Sequence, residues 1–297
     1  MSANSSIEWT DRTWNPVRGC SVISPGCVNC YAMKQAHRFS GPGRAYEGLT
    51  KLTKAGPQWT GKIRTVPEAL REPRSWRQPS RVFVNSMSDL FHEDVPVEFI
   101  AKVFAEMALT PRHTFQILTK RADRMRAVVS GLAHHHTARD GSGWPLPNVW
   151  LGVSVENQDQ LKRIDSLKDT PAAVRFVSFE PLLEDLGAVL LDGIEWAIIG
   201  GESGSRARPC DLAWVRSLVR ECHRQHIATF VKQLGARPFK DVNRVDVVEH
   251  LEFGPEVTRY TEPSDLNLKD RKGGDMAEWP ADLQVREFPG PSGRIAR

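Results

Sequence analysis

The chain has 297 residues, 40% of them hydrophobic and 26% charged, with a formal net charge of +4. This is the composition of an ordinary globular protein with ample material for a core, and the length suits one α/β barrel. No apolar run approaches the ~18–20 residues that span a bilayer and the polar N-terminus lacks the apolar region of a signal peptide, so a cytoplasmic protein with no membrane partner is expected.

Charge is unevenly distributed along the chain. Residues 1–80 hold twelve Lys and Arg against five acidic residues, and the same segment holds Trp9, Trp14, Trp59 and Trp76. Cations interleaved with aromatics suit a polyanion with stackable bases; the competing reading makes the four Trp residues core anchors. Within this segment Cys20, Cys27 and Cys30 fall in the run Gly-Cys-Ser-Val-Ile-Ser-Pro-Gly-Cys-Val-Asn-Cys-Tyr-Ala. In a reducing compartment such cysteines are metal ligands, nucleophiles or core residues rather than disulfides. Three thiolates at C-x6-C-x2-C spacing are one short of a closed tetrahedral site. Two readings stay open: a structural zinc completed by His37, Cys210 or Cys222, or a [4Fe–4S] cluster with one iron left free. Gly19 and Gly26 would let the loop wrap a bulky cluster. One strand is expected near this loop, and residues 40–80, rich in Gly, Pro and basic side chains, read as an insertion running over the surface.

From residue 81 onward short β-branched runs alternate with helical patterns. Strands are predicted at Arg81–Asn85, Thr114–Leu118, Val149–Val153, Val174–Ser178, Trp196–Ile199 and Ala228–Val231, each a continuous apolar run of the kind buried on both faces. Helices are predicted at Glu98–Leu109, Arg121–Val129, Asn157–Leu167 and Asp211–His226. Alternation of this kind implies a parallel sheet, here a full or partial (β/α) TIM-like barrel over residues 1–240. Residues 130–147, with His134-His135-His136, read as a second insertion, a solvated loop. Residues 241–297 read as an acidic, partly irregular C-terminal extension with a poorly ordered end.

In parallel barrels the site forms at the carboxyl ends of the strands. The residues just past each predicted strand are therefore the candidates: Asn85, Ser86, Ser88 and Asp89; Thr119, Lys120 and Arg121; Ser154 and Glu156; Glu180; Gly200-Gly201-Glu202-Ser203-Gly204; Lys232 and Gln233. Together they argue for a polar cavity at one mouth of the barrel. The paired glycines would let backbone approach a ligand closely, and Glu202 can accept hydrogen bonds from an amine or from ribose hydroxyls.

The chain resembles a phage-type and bacterial protein family of unknown function that looks like a divergent radical S-adenosylmethionine group. The resemblance covers roughly residues 7–240. It rests on Thr13-Trp14-Asn15-Pro16 with Gly19-Cys20, on Ser24-Pro25-Gly26-Cys27-Val28-Asn29-Cys30-Tyr31-Ala32, and on FVNSMSDLFHEDVP at 83–96. FQILTKR at 115–121, NVWLGVSVEN at 148–157, FEPLL at 179–183, IGGESG at 199–204 and FVKQLG at 230–235 complete it. The usual radical S-adenosylmethionine spacing is C-x3-C-x2-C, whereas the first gap here is six. The Cys30-Tyr31 pair is similar to the pattern of spore photoproduct lyase, which points to a nucleobase substrate.

The resemblance implies that Cys20, Cys27 and Cys30 hold a [4Fe–4S] cluster whose open iron takes S-adenosylmethionine. Ser154, Glu156, Gly200, Gly201, Glu202 and Ser203 would then hold the cofactor, and Lys120, Glu180 and Cys210 are candidate catalytic groups, Cys210 as a hydrogen donor to a product radical. The implied chemistry is reductive release of a 5′-deoxyadenosyl radical, fed by an electron donor such as flavodoxin or ferredoxin, and acting on a nucleic acid or nucleotide. A radical enzyme acting on a peptide or small metabolite, and a non-catalytic zinc-stabilised nucleic-acid-binding protein, are the alternatives.

Overall fold

Seven short strands carry the architecture: β1 (Arg12–Trp14), β2 (Arg81–Val84), β3 (Thr114–Thr119), β4 (Val149–Ser154), β5 (Val174–Phe179), β6 (Trp196–Gly200) and β7 (Ala228–Gln233). They form one sheet in strict chain order, every neighbouring pair parallel. The computed structural model describes residues 5–139, 143–240, 246–250, 254–258, 264–266, 268–290 and 295–296. β1 and β7 do not pair with each other, so the sheet curls into a half-barrel that stays open on one side. The alternation read from the sequence thus gives a mixed α/β fold of the partial TIM-like kind.

The two faces of the sheet bury different partners. Outward residues such as Val82, Ile117, Leu151, Val177, Ala197 and Val231 pack into the main core. Its other half comes from α2 (Val97–Ala108), α3 (Ala122–Arg139), α4 (Lys162–Lys168) and α5 (Leu212–Arg224), numbered after α1 (Tyr31–Arg38). Inward residues form a separate aromatic plug of Trp9, Phe83, Phe176, Trp196 and Phe230 with Ile198 and Ala228. Ring centroids of Trp9 lie 4.6 Å from Phe83 and 6.0 Å from Trp196, so side chains from opposite arms of the curl meet across its lower half. Gly152 is paired in register with Phe176, and a Cβ there would stand 2.5 Å from the Phe176 ring.

Several sequence expectations are corrected. The helix predicted to end at Val129 continues to Arg139, so His134, His135 and His136 belong to a helix rather than a solvated loop. Val128, Val129 and Leu132 keep its inner face in the core past the expected end. Residues 40–80 do more than run over the surface. A hairpin (Thr50–Thr53 with Gly56–Trp59) and an antiparallel pair (Val17–Arg18 with Arg64–Thr65) organise them. Tyr46, Leu49 and Trp59 pack with Ala32, Met33 and Ala36 of α1 in a small core of their own. Trp9, Trp14, Trp59 and Trp76 are all buried and serve as core anchors.

In the described part of the C-terminal extension, residues 268–290 lie against β7. Val231 N–H donates to Val285 O, Leu234 N–H to Gly273 O and Glu287 N–H to Thr229 O, each at 2.8 Å. Trp279 and Leu283 join the main core. The end of the extension, expected to be poorly ordered, lies largely outside the described residues.

Gly152→Ala is expected to lower unfolding free energy by about 2 kcal/mol, because the added methyl must displace a fully buried ring. Urea unfolding measures this. Combining it with Phe176→Leu should recover part of the loss, whereas strict additivity would show that the two positions are not packed against one another.

Candidate functional site

The polar cavity lies where the aromatic plug ends, and it encloses about 230 Å³. Strand-end residues form its wall: Asn85, Ser86, Ser88 and Asp89 after β2, Thr119, Lys120 and Arg121 at β3, Ser154 at the end of β4, Glu180 after β5, Gly201, Glu202 and Ser203 after β6, and Lys232 in β7. Cys20, Cys27 and Cys30 line the same cavity. Trp9 and Phe83 belong to both the plug and the cavity lining, so the floor is aromatic and the rim polar.

Three connections fix the cysteine loop over this mouth. Glu156 is fully buried; its Oε1 accepts the Gly26 N–H at 3.1 Å, and Arg163 donates to its Oε2 at 2.9 Å. Lys120 Nζ stands 4.0 Å from the same oxygen. Burial alone would raise the Glu156 carboxyl, but the Lys120 charge, the Ser24 hydroxyl, Arg163 and the Gly26 amide outweigh it and hold the pKa below the ordinary range. Glu202 makes the second connection. It accepts from Asn29 Nδ2 at 3.0 Å and from the Arg208 guanidinium at 2.6 and 2.9 Å. Against the effect of burial, the Arg208 hydrogen bonds lower its pKa as well. Arg121 makes the third, donating to Ser21 Oγ at 2.6 Å, to Asp89 at 3.0 Å and to Glu93 at 2.9 Å.

The glycines beside the cysteines answer to protein contacts. Gly19 has φ of +92°, and a Cβ there would stand 2.1 Å from the Lys62 carbonyl oxygen; one on Gly26 would press on the Glu156 carboxylate at about 3.0 Å. In the glycine-rich turn, a Cβ on Gly201 would stand 2.3 Å from Leu234 O. That glycine is required by the neighbouring strand end, independently of any ligand.

Three of the site assignments need correction. Glu156 does not face the cavity but braces the cysteine loop from beneath. Gly200 is absent from the cavity wall; its carbonyl accepts the Leu182 N–H at 2.9 Å. Cys210 lies in a two-residue strand paired with Pro238 and Phe239, 1% exposed and away from the cavity, with burial pushing its thiol up to about 12. It is not placed to deliver a hydrogen atom to a substrate there. Cys222 is likewise in the core, and His37 Nδ1 lies 3.0 Å from Thr50 Oγ1.

Sequence reasoning missed Ser178, an inward residue of β5 that lines the cavity, and Asn29 and Ser21, whose roles lie in clamping the loop. Inward alternation along β5 from Phe176 would have found Ser178. The two loop residues carried no signal beyond proximity to cysteine. Across the cavity Lys232 Nζ donates to Glu180 Oε1 at 2.6 Å. Tyr31 Oη donates to Ser86 O at 2.6 Å. Asn85 Nδ2 and Trp9 Nε1 are buried donors without a partner among the described residues, and both residues line the cavity.

Fold and site together define an α/β half-barrel with a three-thiol loop clamped over a polar mouth. A family model described as protein of unknown function (DUF5131) matches residues 4–265, and the chain belongs to that family. No curated protein matches it. Among solved structures, a point mutant of spore photoproduct lyase is similar at 10% identity and a TM-score of 0.40, over 88% of this chain and 71% of that one.

Glu156→Ala is expected to cost roughly 3–5 kcal/mol, because it strands Arg163. The sign with pH follows from the lowered folded-state pKa. The stabilisation is complete above the ordinary carboxyl value of 4.5 and is lost as pH falls through the folded value. The stability gap between parent and Glu156→Gln, from urea unfolding, should be widest above about pH 5 and shrink on acidification. A gap unchanged down to about pH 3 would show that the carboxylate is not held ionised.

Proposed function

We propose that this protein is a radical S-adenosylmethionine enzyme acting on a nucleobase-bearing substrate, with Cys20, Cys27 and Cys30 holding a [4Fe–4S] cluster and the polar strand ends holding the cofactor. The observation that carries this reading is that all three thiols line the same cavity as Lys120, Ser154, Ser178, Glu180, Glu202, Ser203 and Lys232.

The donor set fits the cluster better than zinc. A tetrahedral zinc needs four ligands at about 2.0–2.3 Å. His37, Cys210 and Cys222, the available fourth ligands, are engaged or buried elsewhere. Among the described residues no three His, Cys, Asp or Glu side chains converge tightly enough to hold a single ion.

The wall also fits an amino-acid sulfonium ligand. Lys232 and Glu180 offer a cation and an anion side by side, matching a group that carries both a carboxylate and an amine. The orphaned donors of Asn85 and Trp9 are available to such a ligand, and the aromatic floor gives a planar ring a stacking surface. When bound, the cluster and cofactor supply one-electron cleavage of a carbon–sulfur bond and so a carbon radical able to abstract hydrogen. This chain's own part is to bind and orient: Glu156, Glu202 and Arg121 hold the thiol loop, and the plug closes the barrel below the reacting groups. Val22, Ile23 and Val28 are exposed on the cysteine loop and offer an apolar contact to a small electron donor such as flavodoxin or ferredoxin.

With the Trp residues buried, the nucleobase assignment rests on exposed cations alone, among them Arg38, Arg44, Lys51, Lys54 and Lys62. Anaerobic reconstitution with iron and sulfide should give a brown protein with a [4Fe–4S] spin-resonance signal that shifts on adding S-adenosylmethionine and is lost in Cys27→Ala. Stoichiometric zinc and no cluster would sink the proposal in favour of a zinc-stabilised binding protein.

A further inference from the structure

A second cavity, of about 600 Å³, lies on the far side of the glycine-rich turn. Ser203 lines both cavities, so the turn is their common wall. The second one is cationic: Arg237, Arg271 and Lys272 line it, all three exposed. None of them has an ion-pair partner among the described residues. Asp270, the acid in the lining, feels the Lys272 charge but forms no ion pair with the three cations among the described residues. Its carboxylate accepts three backbone N–H groups, from Lys272 at 3.1 Å, Gly274 at 2.7 Å and Asp275 at 3.1 Å. It braces the turn that presents Arg271 and Lys272.

Two further cations flank the turn. Lys34 Nζ lies 3.8 Å from where a Cβ on Gly204 would stand, and the exposed Arg206 guanidinium lies against Gly56 of the hairpin. The acid within the turn, Glu202, is consumed by Arg208 and Asn29. Leu266, Leu268 and Pro238 supply an apolar wall beside the charges. Unpaired guanidinium groups over such a wall fit a phosphate attached to an organic body, since the planar fork binds phosphate oxygens in pairs and the body covers the apolar surface.

We infer that this cavity is a phosphate-binding subsite: it holds the phosphate of a nucleotide or of a polynucleotide strand whose base reaches the thiol-lined cavity over Ser203. The inference rests on the proposed function only for what occupies the neighbouring cavity; the phosphate site stands on its own cations.

The test uses the full-length protein without iron, so that it is independent of cluster chemistry. Binding of a fluorescent single-stranded oligonucleotide is followed by anisotropy across a salt series, with inorganic phosphate and a nucleoside 5′-monophosphate as competitors. The triple variant Arg237→Ala, Arg271→Ala, Lys272→Ala should bind about tenfold more weakly at low salt. Its slope of log affinity against log salt should fall by roughly 0.7 for each phosphate contact removed. Arg126→Ala, an exposed change on α3, should alter neither.

Strong competition by the monophosphate with weak oligonucleotide binding assigns the site to a nucleotide; the converse assigns it to a strand. Hydrogen exchange gives a second readout: phosphate should slow exchange at residues 203–205 and 271–272 in the parent alone. A triple variant that matches the parent in affinity for every probe, in slope and in exchange would overturn the inference and leave the thiol site untouched. A protein that takes up no cluster yet binds phosphate here would do the reverse.

Discussion

Placing a carboxylate in a protein interior costs several kcal/mol unless its charge is matched and its oxygens are hydrogen-bonded. Glu156 meets both conditions, and the partners that satisfy it are what hold the cysteine loop in place. Arg163, from α4, neutralises it, while the Gly26 N–H from the middle of the loop fills a lone pair on the other oxygen. The barrel therefore reaches up through one side chain to seize backbone between Cys20 and Cys27. Within the loop Ser24 is buried, Cys20 and Cys30 pack against the small core of α1 and the hairpin, and Val22, Ile23 and Val28 face solvent. Its middle is held by charge and hydrogen bonds, its two ends by that core.

The remaining layout follows from how the inside of the curl is filled. In register, Leu118, Gly152, Phe176, Trp196 and Ala228 form one row across five strands. Large rings in that row leave no room for a side chain at position 152, and together with Trp9 and Phe83 they seal the lower half. Two residues further along β4 and β5, the inward positions are Ser154 and Ser178, paired with one another and lining the cavity. The switch from rings to hydroxyls within one step of the inward alternation sets the depth of the cavity. Polar groups could not occupy the lower row without losing hydrogen bonds to water, and rings in the upper row would fill the mouth.

How much of this was legible in the sequence varies with the kind of information involved. The six later strands are continuous apolar runs because both faces of a parallel sheet are covered, and their positions hold to within about two residues. The end of α3 was misread because Ser130 and Gly131 look like a stop, while the core contact of Leu132 and helix continuity override a single glycine whose cost is only about 1 kcal/mol. The Trp residues of the first segment could not be placed from spacing: Trp14 sends its Nε1–H to Ala69 O across 55 positions of sequence, a contact no local pattern encodes. Strand-end logic found most of the cavity wall but not the direction of Glu156, which lies two residues past the strand, where the chain no longer keeps its alternation. Cys210 failed for a related reason. Proximity to the glycine turn in sequence said nothing about the short strand that carries it into the core.

The environment of the thiols also distinguishes two uses of cysteine. Nucleophilic catalysis requires a thiolate near neutral pH, obtained by placing the sulfur beside uncommitted positive charge or a helix N-terminus. Here burial pushes Cys20 up to about 12 and raises Cys30 as well. Arg121 Nη1 lies 4.0 Å from the Cys20 sulfur, but that guanidinium is already bonded to Asp89 and Glu93. Asp89 in fact raises the Cys20 value further. At Cys20 the neighbouring arginine is spent on carboxylates, whereas Cys30 stands at the N-terminus of α1, whose first backbone amides act against the effect of burial. A ligand thiol, by contrast, needs no preformed thiolate, because a bound cationic group supplies the charge that drives off its proton.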